Sequence, residues 1–232
     1  MLNPYQNKNL FHELNKQKIT SCCLELLPRI SRAQNMDVLS SQSNLAGYRS
    51  VIDAAEQFNK AFPMMMTAAG RINPAKVMVL GVGVAGLQAI ATAKRLGAVV
   101  CATDVRLATK EQVESLGAKF IMVEDEESQQ AETTGGYAKE MSVGYKVKQS
   151  QLLAETVSKQ NIVICTALIP GKPAPILITS EMIDTMSPGS VIVDLAVEEG
   201  GNCPLSEVNK IVSYKGVKII GYENVPGRVA KD

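Results

Sequence analysis

A short apolar strand that runs directly into a glycine-rich turn constrains the fold of this chain more than any other feature. The strand, Lys76–Leu80, is followed at once by Gly81–Gly86, with the sequence Gly-Val-Gly-Val-Ala-Gly. A helix of small residues comes next, and then a second apolar strand that ends before Asp104. This order predicts a dinucleotide-binding βαβ unit, and a glycine-rich strand–helix corner without a ligand is the alternative.

The glycines of this turn have separate predicted tasks in holding a pyrophosphate. Gly81 permits the tight turn out of the strand, Gly83 lets the backbone approach the phosphates, and Gly86 lets the helix pack close to the sheet. The helix N-terminus adds free N–H groups and a partial positive charge. Asp104, 18 residues beyond Gly86, stands where an acid accepts both hydroxyls of the adenosine ribose. Because its charge also repels a 2′-phosphate, we expect NAD(H) rather than NADP(H).

Composition excludes several classes of function. The chain of 232 residues is 46% hydrophobic and carries a formal net charge of +1, without a long basic run. It can therefore bury a core, and nucleic acid or an anionic membrane is a poor partner. The segment 77–93 is apolar enough to suggest a membrane span, but its glycines at strand–helix spacing argue against one. Since the N-terminus also lacks a signal-peptide pattern, we expect a soluble chain.

The five cysteines predict neither disulfides nor a zinc site. No two of them have CxxC spacing, and most lie in apolar, strand-like runs. We therefore expect buried free thiols in a reducing compartment. The cysteines are Cys22, Cys23, Cys101, Cys165 and Cys203.

The alternation of strands and helices predicts the fold class. A helix is expected over 146–159, and a capping box at Thr109 and Gln112 starts an earlier one. Because the strands are apolar throughout, they imply a parallel sheet covered on both faces. We predict an α/β fold with a doubly wound (Rossmann) parallel sheet of about six strands over 73–221. The expected strands after Lys76–Leu80 are Ala98–Thr103, Lys119–Val123, Asn161–Thr166, Val191–Leu195 and Lys218–Gly221.

The first 63 residues predict part of a second, incomplete α/β subdomain. A short helix is expected at Phe11–Lys18, a strand at Ile19–Leu24 and a polar loop up to Ser43. Apolar residues at three- and four-residue steps from Leu45 to Phe62 predict a longer helix. One or two strands bury too little surface to form a domain alone. We expect three segments: 1–63 as the partial subdomain with its polar loop, 64–221 as the nucleotide-binding domain, and 222–232 as the start of a return segment.

Three further segments carry groups that a ligand could use. The loop 29–43 concentrates donors and acceptors, although a solvated loop is the simpler alternative. The segment 135–137 suits a lid, because glycine absorbs large dihedral changes, and a charged surface loop explains it equally well. The segment 167–173 follows a strand end, where α/β sheets bind ligands, and its lysine is otherwise a surface residue. The polar side chains of the first loop include Arg29, Gln34, Asp37 and Ser40.

The scarcity of acid–base groups favours one class of redox chemistry. The only histidine, His12, lies in a polar segment, and we find no Ser/His/Asp set, paired-carboxylate motif or metal-ligand spacing. A dehydrogenase that acts on an alcohol or amine must handle a substrate proton. Hydride transfer between two nicotinamide rings needs mainly C4 atoms held about 3–3.5 Å apart and water kept out.

Longer stretches of the sequence carry a family resemblance that is more specific than the glycines. Nearly the whole chain resembles the alanine dehydrogenase/transhydrogenase family, and within it the alpha subunits of proton-translocating NAD(P) transhydrogenases. Alanine dehydrogenases share the glycine unit but differ in the segment that corresponds to 29–43. The stretches are Pro28–Tyr48, Phe62–Gly70, Val79–Lys94, Ala102–Leu116, Gly135–Met141, Thr166–Pro175 and Val193–Leu205.

The resemblance implies roles for individual residues. The polar loop holds the nicotinamide end of NAD(H), orients its carboxamide and, through Gln34, reaches toward the partner's nicotinamide. Tyr137 matches the tyrosine of a mobile loop that folds over the nucleotide. The implied catalytic residues are Arg29, Gln34, Asp37 and Tyr137. The implied cofactor-binding residues are Arg29, Ile30, Ser31, Gln34 and Ser40 at the nicotinamide; Gly81, Gly83, Val84, Ala85 and Gly86 at the pyrophosphate; Asp104, Val105 and Arg106 at the ribose and adenine; and Gly136, Tyr137, Gln149 and Leu168 along the nucleotide.

The resemblance also implies an activity and partners. The implied activity is hydride transfer between NAD(H) on this chain and NADP(H) on a partner component, coupled by a membrane component to proton movement. The chain would lie on the cytoplasmic or matrix side of an inner membrane, reach it only through partners, and dimerise once its first subdomain is complete. The family's first subdomain begins before the position of Met1 and ends after Asp232, so we expect a chain shortened at both ends. An alanine-dehydrogenase-like enzyme and a non-catalytic NAD-binding module are the alternatives.

Overall fold

The helices and strands occur in the predicted order in the second half of the chain, with boundaries close to the predicted ones. A computed structural model describes residues 2–28, 30–123, 142–169, 171–229 and 231. The described helices are α1 (Lys8–Lys16), α2 (Val38–Gln57), α3 (Val84–Arg95), α4 (Lys110–Ser115), α5 (Val143–Val157) and α6 (Ser180–Asp184). The described strands are β1 (Met65–Thr67), β2 (Gly70–Ile72), β3 (Lys76–Leu80), β4 (Val99–Thr103), β5 (Lys119–Phe120), β6 (Ile162–Cys165), β7 (Val191–Asp194), β8 (Lys210–Tyr214) and β9 (Val217–Gly221). Short 3₁₀ turns lie at Leu24–Leu26, Ser31–Met36, Leu107–Thr109, Val197–Glu199 and Val225–Val229.

The main sheet has seven strands in the order β5-β4-β3-β6-β7-β9-β8. The chain winds outward from β3 to β5 in one direction, returns to β6 beside β3, and then winds the other way. This is the doubly wound order of dinucleotide-binding domains, and the switch point lies between β3 and β6. The predicted α/β fold class is therefore confirmed.

The six predicted strands all pair in parallel, and a seventh, antiparallel strand at one edge of the sheet was not predicted. β8 pairs with β9 antiparallel, through a hairpin whose turn residues Lys215 and Gly216 have φ of +47° and +82°. Positive φ at both central residues is typical of two-residue hairpin turns, because their twist matches that of the strands. A second hairpin, formed by β1 and β2, was also not predicted.

The two faces of the sheet bury two separate apolar cores. Alternate residues of β3 divide between them: Val77 and Val79 lie in one core, Met78 and Leu80 in the other. Helices α2, α3 and α4 cover the first core, and α5 and α6 cover the second. All four residues are fully buried, as expected for a central strand with helices on both faces.

Helix α2 begins earlier than its apolar pattern predicted. Asp37 caps its N-terminus, because Asp37 Oδ1 accepts a hydrogen bond from the Ser40 N–H at 2.9 Å. The polar loop expected to reach Ser43 is therefore cut short by this helix and by the preceding 3₁₀ turn. The capping box expected at Thr109 is also wrong, since the Thr109 hydroxyl donates to the Arg106 carbonyl instead.

The strand predicted at Ile19–Leu24 is wrong. Residues 19–23 have no regular structure, and Leu24 begins a 3₁₀ turn. Within the described residues no strand pairs with this segment, so its apolar, β-branched pattern has no ladder to join. The helix expected just before it lies a few residues earlier, as α1.

A buried carboxylate ties the C-terminal turn to α2. Asp53, 1% exposed, accepts hydrogen bonds at Oδ1 from Arg49 Nε at 2.8 Å and from Arg228 Nη2 at 3.1 Å. Arg228 also lies over the Tyr222 ring, 4.2 Å from its centroid. These contacts fix the turn Val225–Val229 against the helix.

Exposure divides the cysteines into groups, so the expectation of buried thiols holds for only some of them. Cys165 and Cys203 are buried and Cys101 is half-buried, whereas Cys22 is exposed. Burial raises the pKa of Cys101 to about 11 and that of Cys165 well above its ordinary value. None of the five is in a disulfide.

We expect brief alkylation of the folded chain at pH 8 to label Cys22 first and to leave Cys165 unmodified. The thiolate is the reacting species, and both burial and a raised pKa deplete it at Cys165. Mass spectrometry of tryptic peptides measures the labelling, and the denatured chain, in which every thiol reacts, is the control. Labelling of Cys165 at the rate of Cys22 in the folded chain would contradict the core described above.

No helix within the described portion of the chain is both long enough and apolar enough to cross a bilayer. The largely apolar segment 77–93 forms most of β3, the glycine turn and most of α3.

Candidate functional site

The glycine turn after β3 is fixed by hydrogen bonds to the next strand. Gly81 has φ of +92°, a conformation that side chains disfavour, and its N–H donates to the Thr103 carbonyl at 2.9 Å. The next N–H, that of Val82, donates to Asp104 Oδ2 at 2.7 Å. The turn and the end of β4 therefore form one rigid corner.

Helix α3 presents its N-terminus to this corner without a side-chain cap. Gly83 is the N-cap residue, and it has no side chain that could accept a hydrogen bond from the first turn. The first N–H groups of a helix have no intrahelical partner, so an uncapped N-terminus favours an anion. A Cβ built at Gly83 would meet nothing within 4 Å, which leaves the space beside the backbone open.

The third glycine holds the helix against the turn. A Cβ at Gly86 would overlap the Gly81 carbonyl oxygen, so only glycine permits this approach of α3 to the strand end. Thr166, directly after β6, closes the same corner from the other side: its hydroxyl donates to the Gly81 carbonyl at 2.9 Å. Both contacts lie at the switch point of the sheet.

Asp104 and Arg106 form a buried ion pair beside the turn. Arg106 Nη2 lies 2.8 Å from Asp104 Oδ2, and Arg106 Nε lies 2.9 Å from Asp104 Oδ1. The side chains of Asp104 and Arg106 are 6% and 14% exposed, respectively. Asp104, the acid predicted to bind a ribose, therefore lies directly after β4, and the guanidinium of Arg106 is bound to it.

The loop after β6 is held by one buried side chain. Asn202, which is 0% exposed, accepts from the Ala167 N–H at 3.1 Å and donates to the Ala167 and Pro175 carbonyls at 2.9 and 2.8 Å. Asp194, at the end of β7, in turn accepts hydrogen bonds from the Ala196 and Cys203 N–H groups. This network places Leu168 and its neighbours beside the glycine turn.

These elements enclose a cavity of about 1010 Å³ at the carboxyl ends of β3, β4 and β6. That volume is at the upper end of the ~300–1,000 Å³ of ligand sites. The sequence-predicted residues that line it are Gly81, Gly83, Val84, Ala85, Asp104, Val105, Arg106, Gln149 and Leu168. Lys146 and Lys172 also line it, as do the carboxylates of Glu25 and Glu199. The volume of the cavity is sufficient for a dinucleotide, and the uncapped end of α3 is its site for an anion.

Among the described residues, those predicted to hold the nicotinamide lie outside this lining. Gln34 and Ser31 are exposed in the 3₁₀ turn Ser31–Met36, and Ile30, just before the turn, is exposed as well. Asp37 and Ser40 are bound to each other, the Ser40 hydroxyl donating to Asp37 Oδ2 at 2.6 Å. Residues from the start of α2 reach the cavity instead: Leu39, Ser43 and Ala46. Arg29, Gly136 and Tyr137 lie outside the described residues.

Sequence reasoning did not single out several residues of the cavity wall. Tyr5 lies against Gly171, and its ring reaches within 3.2 Å of a Cβ built there. Glu25 accepts from the Asn3 N–H at 2.6 Å, and hydrogen bonds from its own N–H and from Asn3 lower its pKa. No local pattern marks these residues, whereas the position of Thr166 directly after a central strand could have identified it.

No group of His, Cys, Asp and Glu side chains in the described residues has the arrangement of a metal site. His12 is exposed on α1 and does not line the cavity.

We expect Gly83→Ala to weaken nucleotide binding about tenfold or more while the free energy of unfolding stays within about 0.5 kcal/mol. Gly83 has φ of −84°, which alanine tolerates, and its Cβ would enter open space. That space is where a pyrophosphate must approach the backbone. Calorimetric titration with NADH and urea denaturation measure the two quantities, and equal loss in both would contradict this role.

The fold and this site together define an α/β protein of the dinucleotide-binding class. Models of two domains match the chain: "Alanine dehydrogenase/PNT, N-terminal domain" over residues 1–46 and "Alanine dehydrogenase/PNT, C-terminal domain" over residues 50–232. The chain belongs to the alanine dehydrogenase/PNT family, whose members are nicotinamide-nucleotide proteins.

Individual relatives agree with the family match. The chain is 67% identical over 226 residues to an NAD(P) transhydrogenase alpha-subunit protein of Rhodospirillum rubrum, covering 97% of this chain and 59% of that protein. It is 56% identical over 232 residues to the corresponding alpha-subunit protein of Rickettsia prowazekii, covering 100% and 60%. The crystal structure of transhydrogenase from Sinorhizobium meliloti superposes with a TM-score of 0.88 at 57% identity, covering 98% of this chain and 61% of that one. The resemblance to transhydrogenase alpha subunits is confirmed, and the chain spans about three fifths of the length of these relatives.

Proposed function

We propose that this chain is the NAD(H)-binding component of a proton-translocating NAD(P) transhydrogenase. In this proposal a hydride passes directly between NAD(H) bound here and NADP(H) held by a partner component. The observation that carries the proposal is the cavity at the switch point, where an uncapped helix N-terminus, an open glycine turn and an acid after β4 converge. The names of the transhydrogenase relatives support the reaction.

In this proposal different residues of the cavity bind different parts of the nucleotide. The backbone of Gly83, Val84 and Ala85 would hold the pyrophosphate, with the partial positive charge of α3 opposite it. Asp104 would bind the adenosine ribose, with Val105 and Arg106 beside it. Gln149 and Leu168 would line the remaining length of the nucleotide.

The nicotinamide end is assigned to the polar segment before α2. Arg29, Asp37 and Ser40 would hold and orient the carboxamide, and Gln34 would reach toward the second nicotinamide ring. The exposure of Gln34 supports a contact with a partner rather than with the interior of this chain. Gly136 and Tyr137 would close over the bound nucleotide and keep water out.

We also propose an arrangement in the complex. The partners are the NADP(H)-binding and membrane-spanning components, and the chain lies on the cytoplasmic or matrix side of the membrane and contacts it only through them. Residues 64–221 form the nucleotide domain, whereas 1–63 and 222–232 belong to a first subdomain through which a homodimer forms. The ion pair between Arg228 and Asp53 supports such a return of the chain to its N-terminal region.

Two measurements in sequence test this function. Calorimetric titration with NADH and NADPH should show saturable binding of NADH and much weaker binding of NADPH. Addition of an NADP⁺-loaded transhydrogenase component to the NADH-loaded chain should then produce NADPH, which is separated and quantified by chromatography. Binding without transfer would leave a nucleotide-binding module and remove the enzymatic half of the proposal. Reduction of NAD⁺ in the presence of alanine would instead favour an amino-acid dehydrogenase.

We expect Gln34→Ala to lower the rate of hydride transfer about tenfold or more and to change the dissociation constant of NADH less than about threefold. Gln34 is exposed and outside the cavity wall, so its proposed effect is on the geometry between the two rings. Single-turnover transfer and NADH titration measure the two quantities. Gln42→Ala, an exposed glutamine on α2, is the matched control. A loss of NADH affinity as large as the loss of rate would contradict the assignment.

A further inference from the structure

The carboxylate of Asp104 has all of its acceptor positions in use. Asp104 Oδ1 accepts from the Arg106 N–H and from Arg106 Nε, both at 2.9 Å. Asp104 Oδ2 accepts from the Val82 N–H at 2.7 Å and from Arg106 Nη2 at 2.8 Å. A carboxylate offers about four lone-pair sites. A ribose hydroxyl therefore bonds to Asp104 only by displacing or sharing one of these four contacts, three of which Arg106 makes.

The guanidinium of Arg106 is held at the edge of the nucleotide cavity. Both Arg106 and Asp104 line that cavity, and Arg106 Nη2 also donates to the Val82 carbonyl at 3.2 Å. The cation thus contacts the glycine turn and the acid at the same time. With only 14% of its side chain exposed, it is packed in place rather than extended into solvent.

Asp104 and Arg106 are the two residue types with which dinucleotide-binding domains recognise the 2′-position of the adenosine ribose. Dinucleotide-binding domains accept the 2′-hydroxyl of NAD(H) with an acid after the second strand, or accommodate the 2′-phosphate of NADP(H) with a nearby arginine. This chain has both, two residues apart, and they are paired with each other. While the pair is intact, the charge of Arg106 is neutralised and its donors point at a carboxylate.

We infer that Arg106 is a specificity-determining residue. It is able to bind a 2′-phosphate, and its ion pair with Asp104 prevents it from doing so. Asp104 then selects NAD(H) in two ways: it binds the ribose hydroxyls, and it occupies the nearby guanidinium that is able to bind the competing phosphate. Releasing Arg106 from the acid makes its planar donors available to a phosphate, which guanidinium binds with two parallel hydrogen bonds. This inference rests on the proposed binding of NAD(H) in the cavity.

The test is a double-mutant cycle on the full chain, with NADH and NADPH as probes. Asp104→Asn retains the shape and an acceptor for the Val82 N–H but removes the charge that holds Arg106. We expect it to weaken NADH about tenfold and to strengthen NADPH about tenfold, the size of one charge-assisted hydrogen bond gained or lost. In the double variant Asp104→Asn/Arg106→Gln, the gain in NADPH affinity should disappear.

Two further variants complete the design. Arg106→Gln alone should weaken NADPH relative to NADH by about fivefold or more, because it removes the cation but keeps the acid. Arg95→Gln removes the same charge at the opposite, C-terminal end of α3, where the side chain is exposed, and should leave both affinities unchanged. Thermal unfolding midpoints of all variants show whether each is folded; if Asp104→Asn does not fold, Asp104→Ser, which also releases Arg106, replaces it in the cycle.

The possible outcomes distinguish a failure of this inference from a failure of the proposed NAD(H) binding. Failure of the unmodified chain to bind NADH would overturn the proposed function and the inference together. Normal NADH binding, combined with no gain of NADPH affinity in Asp104→Asn, would overturn the inference alone and leave the ion pair as a support for the glycine turn. A gain that persists without Arg106 would also overturn it, because simple loss of repulsion would then explain the result.

Discussion

Gly47→Ala should cost about 3 kcal/mol of the free energy of unfolding, more than expected for a typical helix substitution. Gly47 is buried on α2 and faces the first turn of α3. A Cβ there would overlap the Ala85 carbonyl and lie 2.9 Å from Ala85 Cα. Since these are backbone atoms, no side chain can rotate away, and the two helices must separate. The first turn of α3 is also the proposed pyrophosphate site, so NADH affinity should fall with stability.

The matched control is the same substitution in another helix. Gly144 is the second residue of α5, and the nearest atom to a Cβ built there is the Ser142 hydroxyl, 4.0 Å away. Gly144→Ala should therefore leave stability unchanged or raise it by up to about 1 kcal/mol through helix propensity. Urea denaturation of both variants measures the difference. If Gly47→Ala and Gly144→Ala had equal stability, α2 and α3 would not be in the close contact described.

What the sequence predicted well depends on local patterns and on burial. The central strand β3 has the bounds assigned from its apolar run, and the turn after it is where three glycines placed it. A buried parallel strand reads as a continuous apolar segment, and the glycines are required by the turn itself. The strand order follows from the same alternation of elements. These features need no knowledge of distant contacts.

The predicted boundaries were wrong where a helix cap or a turn residue, rather than the hydrophobic periodicity, determined where an element begins or ends. The apolar periodicity of α2 begins at Leu45, but the helix starts at Val38. Asp37 is its N-cap residue and accepts a hydrogen bond from the Ser40 N–H, and an aspartate in this position is a helix-start signal that the sequence contains. The edge strand β8 is largely exposed, so polar residues interrupt its apolar ones, and its turn at Lys215-Gly216 was the better sign. The segment 19–24 has strand propensity without a partner strand among the described residues.

The sequence predicted the backbone positions of the candidate site but not the contacts between its side chains. Glycine and acid positions follow from the phosphate-binding pattern, whereas the pairing of Asp104 with Arg106 depends on side-chain geometry that no spacing rule gives. The hold of Asn202 on Ala167 joins residues 35 apart in sequence, so it emerges only from the folded chain. The polar residues before α2 remain a prediction that rests on the family resemblance.

Asn202→Asp should destabilise the chain by about 3 kcal/mol or more and weaken NADH binding. The substitution replaces a side-chain amide that donates to the Ala167 and Pro175 carbonyls with a carboxylate oxygen that faces them. The site is fully buried, so an aspartate there must either carry its charge out of contact with bulk solvent or take up a proton, and both are costly. Because the same hydrogen bonds hold the loop that carries Leu168, the cavity wall should loosen together with the fold.

Asn209→Asp is the control that isolates burial from chemistry. Asn209 is exposed, and its Oδ1 accepts from the Glu223 N–H, a bond that aspartate retains. Its φ of +58° is also one that aspartate tolerates better than most residues, so stability should change by less than about 0.5 kcal/mol. Urea denaturation and NADH titration of both variants make the comparison. A large loss in Asn202→Asp with unchanged NADH affinity in the folded fraction would show that the loop keeps its place without this side chain. Asn202 would then not be the residue that positions the cavity wall, while the fold itself would be unaffected.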